Sequence, residues 1–182
     1  MPYSTEYVES GGLIAYVAKW TDDSTPPTLP GDYTDLGNVI NYSEEPKVSW
    51  KKHPSHRGAT ETVDLMVPVK EEMMIKLSTD DITLEKLRMF YAGELSDSET
   101  IIPLTASYEV YAVKIVQVLA NGQEKTREWW KVQMAPGSAI ELINHGDGDT
   151  DWAKLEFAGE ILDDTVNHPN NKWGSVYVSP TV

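Results

Sequence analysis

The stretch that decides the fold runs from Asp35 to Gly93. It opens Asp35-Leu36-Gly37-Asn38-Val39-Ile40 and passes through Glu44-Glu45-Pro46-Lys47-Val48-Ser49-Trp50-Lys51-Lys52-His53 to Arg57-Gly58-Ala59-Thr60. An alternating run follows from Glu61 to Leu77, and then Thr83-Leu84-Glu85-Lys86-Leu87-Arg88-Met89-Phe90-Tyr91-Ala92-Gly93. In the alternating run Val63, Leu65, Val67 and Val69 share one parity, with Thr62, Asp64 and Lys70 on the other. After Glu71-Glu72 the pattern resumes with Met73, Ile75 and Leu77. Period-2 alternation marks half-buried strands, and Pro68 within it predicts a break or an edge position. The segment at Thr83 has the opposite character. Thr83 suits an N-cap, Glu85 the first turn and Gly93 the C′ position. Leu84, Leu87, Met89, Phe90 and Tyr91 give this helix a broad apolar side to bury.

Working outward, strands dominate. Gly12–Trp20 is a short run of β formers, and the proline-bearing stretch from Thr21 to Asp32 reads as a loop. Leu36–Tyr42 and Pro46–Lys52 are candidate strands around a charged turn. The polar segment 42–59 carries Pro46 and Pro54 and is expected to project from the body. Ser107–Leu119 and Glu124–Met134 flank Asn121-Gly122, a type I′ hairpin signal. Apolar groups on both faces of this hairpin predict cover on both sides for part of its length. Ser138–Ile143 reads as a short strand and 144–151 as a loop of Gly and Asp. Trp152–Ile161 reads as a strand with Leu155, Phe157 and Ile161 inward and Lys154, Glu156 and Glu160 outward. After a turn region, Trp173–Val178 is a tail strand. No solenoid repeat or low-complexity tract is present. The expected fold is mainly β: a β-sandwich of two packed antiparallel sheets with one short flanking α-helix and long projecting loops.

The 182 residues fit one domain, 1–182, with an N-terminal arm (1–12), the projecting segment (42–59) and a C-terminal extension (163–182). The net charge of −14 disfavours nucleic-acid affinity and an anionic membrane surface. It suits solubility at high concentration or a surface that repels polyanions. The absence of cysteine excludes disulfides, thiolate metal sites and cysteine nucleophiles. No Sec-type signal and no apolar run near the roughly 20 residues of a membrane span is visible, so the chain reads as made in a cytoplasm.

No reactive constellation stands out. His53-Pro54-Ser55-His56 cannot be a helical metal pair, because Pro54 forbids a helix interior. Asp147-Gly148-Asp149-Thr150-Asp151 begins like a calcium loop, but Trp152 and Ala158 stand where an EF-hand needs Gly and Glu; an acidic turn is the better reading. Trp129 and Trp130 are adjacent, so on a strand they face opposite ways and cannot form one sugar-stacking platform. There is no nucleophile elbow and no phosphate-binding glycine loop. The 29 acids make carboxylate pairs uninformative. The expectation is no enzyme, no catalytic residue, no metal and no cofactor.

The order of elements resembles the tail tube (major tail) proteins of long-tailed, siphophage-like bacteriophages. The resemblance rests on Gly12-Leu13-Ile14-Ala15, Asp35-Leu36-Gly37-Asn38-Val39, Arg57-Gly58, Glu61–Leu77, Leu84–Gly93 and Ser107–Met134, and covers about Gly11 to Phe157. It implies a virion protein assembled in the host cytoplasm. Its homohexameric rings stack into a hollow tube through which DNA passes without specific binding. The implied partners are other copies of itself, a tape-measure protein in the lumen, and tail terminator and baseplate or tail-tip proteins. It implies further that 42–59 is a loop between stacked rings, with Glu44, Glu45, Lys47, Lys51, Lys52 and Arg57 making mixed-charge contacts. Outward acids, Glu156 and Glu160, are expected to line the lumen. The competing readings are a tube protein of a contractile or type VI-like injection system, a decoration or baseplate β-sandwich, and a secreted sugar-binding β-sandwich.

Overall fold

The computed structural model describes residues 9–21, 25–27, 31–55, 62–95, 100–104, 109–138 and 154–179. Among these residues nine strands and one helix follow in order: β1 Glu9–Lys19, β2 Thr34–Ser55, β3 Thr62–Thr79, α1 Leu84–Tyr91, β4 Glu94–Leu95, β5 Ile101–Ile102, β6 Val110–Leu119, β7 Glu124–Pro136, β8 Leu155–Ile161 and β9 Gly174–Val178. The chain is mainly β and antiparallel, as the alternation predicts. The expected two layers are the walls of one continuous sheet. Its order is β6-β1-β2-β3-β8-β7, and β7 returns to bond β6, closing a barrel. Closure removes free edges over the length that is paired. The short pair β4–β5 stands apart.

One core fills the barrel. Ala15 and Val17 of β1, Leu36 and Val39 of β2, and Ile75 and Leu77 of β3 meet Val113 and Ile115 of β6. Trp129, Val132 and Met134 of β7 join them with Leu155, Phe157 and Ile161 of β8. Gly159 sits among them because a Cβ there would overlap Val132 and press on Ile75. α1 adds Met89 and Phe90, and the Phe90 ring meets Phe157 edge-on at 5.9 Å. A second cluster of Ala18, Trp20 and Ala112 covers part of the outer face, so the β6–β7 hairpin is indeed packed on both sides over part of its length.

Local chemistry explains the details, including those that differ from expectation. Thr83 caps α1 by accepting from the Lys86 amide at 3.4 Å. The left-handed residue that ends the helix is Ala92 (φ 45°), not Gly93. Gly93 is required for room, since a Cβ would press on Ile101 and the Ile102 carbonyl. Leu84 is exposed rather than part of the buried side, while Lys86 is buried and ion-paired to Asp81 at 2.7 Å. The β6–β7 turn is a three-residue loop rather than type I′. The Gly122 amide donates to the Leu119 carbonyl, the Leu119 amide donates to Gln123, and only Gly122 takes a positive φ.

β1 begins at Glu9, inside the stretch read as an N-terminal arm. The C-terminal extension returns to the barrel: β9 pairs Gly174 with Trp129 and Val178 with Lys125 of β7. The link before it is fastened by Asp164. This fully buried carboxylate accepts from Asn167 at 2.9 Å, bonds His168 Nδ1 at 2.7 Å and lies 3.3 Å from Lys131 Nζ. The expected strand and loop over 138–151, with the acidic Asp147–Asp151 turn, fall outside the described residues after Ser138.

Candidate assembly surface

β2 and β3 are far longer than the barrel needs. β1 bonds β2 only at residues 34–38, and β8 bonds β3 only at residues 73–79. β2 and β3 nevertheless stay paired with each other out to Ser55 and Thr62. Beyond Pro46 and Met73 they leave the wall as a two-stranded arm, and among the described residues no further strand pairs with either outer edge. The segment 42–59 is therefore strand as far as Ser55, not a loop, and residues 56–59, Arg57 included, lie outside the described residues. Pro54 and Pro68 sit at irregularities of the ladder, whereas Pro46 pairs with Met73 in unbroken register. Register slips between Ser49 and Trp50, opposite Pro68, and between His53 and Pro54.

The alternating apolar run over 65–69 is not half-buried. Leu65, Met66, Val67 and Val69 are all exposed, Val69 at 61%. Val48 and Trp50 on β2, opposite Glu71 and Pro68, are exposed too, Trp50 at 51%. Residues opposed across the ribbon share a face. Trp50 and Lys52 thus lie beside Pro68 and Met66 on one face, and Lys51 and His53 beside Val67 and Leu65 on the other. Two-sided apolar exposure on a ribbon with unpaired edges marks a surface built to be covered.

The predicted charged residues divide. Lys51 and Lys52 are exposed on the arm. Glu45 and Lys47 pair with each other at 3.3 Å. Glu44 lies on the Ile75 face of the ribbon, and its carboxylate meets Arg127 Nε at 2.7 Å at the barrel mouth while remaining partly open to solvent. At the foot of the arm a groove of about 330 Å³ runs between Val48, Glu72 and Met73 on one side and Trp129, Trp173 and Gly174 on the other.

Glu156 and Glu160 point away from the core, as alternation along β8 requires, with Leu155, Phe157 and Ile161 inside. Their face is not purely acidic: Lys76 of β3 stands between them in register, and the Lys70 ammonium is held mainly by its bond to Glu72, with Glu160 adding to it. Trp129 and Trp130 face opposite ways as expected. Trp129 is buried and donates to the Tyr42 hydroxyl, while Trp130 stacks on His168 at 4.1 Å.

A cleft of about 310 Å³ opens between α1 and strands β1 and β2. Its rim is knitted by Lys86–Asp81, Arg88–Glu85 and Arg88–Glu109 ion pairs, an arrangement that stabilises the helix seat. Among the described residues, no group of three or more His, Asp or Glu side chains is placed to hold a metal ion. No helix there is long and apolar enough to cross a membrane.

No protein-family model matches this chain, and no curated protein matches it. Among solved structures it is similar to the sheath-tube complex, in the extended state, of an extracellular contractile injection system, PVC. The TM-score is 0.41 and the identity 10%, over 96% of this chain and 92% of that one. A likeness of that size carries no functional argument.

Proposed function

We propose that this chain is a structural subunit that assembles with copies of itself into a hollow tube of the phage-tail kind, and that it has no catalytic step. The observation that carries the reading is the β2–β3 arm, whose Val48, Trp50, Leu65, Met66, Val67 and Val69 stand in solvent in the single chain. Covering a side chain of this type is worth about 1.5–3 kcal/mol before the cost of association. A neighbouring copy is the natural cover, because the arm is close to neutral, with Lys47, Lys51, Lys52 and Lys70 against Asp64, Glu71 and Glu72, so it can approach a chain that is at −14 overall. A head-to-tail contact of this kind repeats, and it closes into rings or extends into tubes.

The order of sequence elements, resembling tail tube proteins, supports the finer version: rings of six, stacked through the arm, in a virion tail that also takes a tape-measure, a terminator and tip proteins. In that arrangement Glu156 and Glu160 face the lumen and help keep passing DNA from adhering. Negative-stain microscopy of the purified protein tests the proposal. Rings or tubes with a central hole are expected; a protein that stays a dispersed monomer at high concentration ends it. A map of the tube tests the lumen separately, and a basic wall would remove Glu156 and Glu160 from it.

A further inference from the structure

We infer that the Glu44–Arg127 pair is a clasp that fixes the direction in which the β2–β3 arm leaves the barrel. The pair joins strands that are not neighbours. β2 lies between β1 and β3, whereas β7 lies between β6 and β8, so the contact spans the barrel interior. It is also well surrounded. Arg127 donates through Nη1 to Gln117 of β6 at 3.1 Å, and its guanidinium lies 5.7 Å over the Tyr42 ring. The Tyr42 hydroxyl donates to Glu44 at 2.9 Å and accepts from Trp129 Nε1 at 2.8 Å. Burial, and then the adjacent Glu44 carboxylate, push the Tyr42 hydroxyl well above its ordinary pKa, so it stays protonated and remains a donor.

The position in the fold gives the network its role. Glu44 stands opposite Ile75, two rungs inside the point where Pro46 and Met73 mark the end of the barrel wall. Past β1's last bond at Asn38, β3 is the one strand among the described residues that pairs with β2. A two-stranded ribbon attached through so few rungs is free to twist and swing. A charge pair needs one geometry to repay its desolvation, and it resists such motion. An arm held in its docking direction loses less entropy on binding. The clasp is a property of one chain and holds whether or not the chain forms tubes.

The chain has no cysteine, so two introduced thiols can be labelled cleanly. Spin labels at Lys52→Cys on the arm and Val118→Cys on β6 report the arm-to-barrel distance by pulsed dipolar spectroscopy. The expected parent distribution is single and narrow. Glu44→Gln is expected to broaden it at least twofold while circular dichroism retains the barrel. The double variant Glu44→Met/Arg127→Met leaves no charge buried alone and is expected to fold and to broaden the distribution equally. A pair that only adds stability would lower the unfolding midpoint and leave the distribution unchanged; that result in the double variant overturns the clasp.

Discussion

β8 and the outer part of β3 carry the same signal in sequence and meet opposite fates. Along Leu155–Ile161 every second side chain is buried, with Leu155, Phe157 and Ile161 at 2% exposure or less. Along Leu65–Val69 every second position is apolar too, with Met66 and Pro68 falling between, and Leu65, Met66, Val67 and Val69 are all in solvent. What separates them is the neighbour. β8 lies between β3 and β7 and faces a filled interior, whereas outer β3 is paired with β2 alone among the described residues, and Lys172 and Trp173 come near its inner end. Period-2 alternation therefore specifies a strand with two unlike faces, and leaves open which molecule supplies the cover.

The comparison can be broken by truncation. The largest effect is expected at Phe157→Ala, which removes a ring packed on Phe90 in the closed core and should cost about 3–5 kcal/mol in denaturant unfolding. A smaller loss, about 1–3 kcal/mol, is expected for Gly159→Ala, because the added methyl collides with Val132 on the neighbouring strand β7. Acid should act on the same body. Burial alone would raise the pKa of Glu109, but hydrogen bonds from Arg88, Lys19 and Tyr111 outweigh it and hold the carboxyl at about 2 against an ordinary 4.5. Its contribution is then complete above about 4.5 and lost as pH falls through about 2. Melting temperature followed down that range should fall less steeply in Glu109→Gln than in the parent. The smallest effect belongs to the arm: Leu65→Ala should change single-chain stability by no more than about 0.5 kcal/mol. A loss at Leu65 comparable to that at Phe157 would mean that the arm is packed within its own chain.

The parts of this fold that depend on neighbours in sequence were legible. Thr83 announced the helix, Asn121-Gly122 the hairpin, and the parity of Leu155, Phe157 and Ile161 the inward face of β8. The parts that depend on distant partners were not. Closure of the sheet rests on β3–β8 and β7–β8 registers that no local pattern encodes. Glu44 reads as one more charge in a polar stretch, and only its meeting with Arg127 moves it from the projecting segment to the barrel mouth. Lys86 looks like a solvated helix residue until Asp81 and the strand beneath it are in place. The arm itself was anticipated as a projection, but its proline and charge content suggested a loop. Two register shifts let those residues remain in a ribbon.

The central claim is that the barrel holds the subunit together and the arm holds subunits to one another. Replacing Lys47–Glu72 by Asn-Gly tests it most directly, because Pro46 and Met73 are already paired across the ribbon and a two-residue turn can join them. Sedimentation and thermal unfolding of this variant are compared with those of the parent. The account predicts a monomer with the barrel's cooperative transition intact, beside a parent that associates. A shortened chain that still associates as the parent does, or one whose barrel no longer folds, would contradict it.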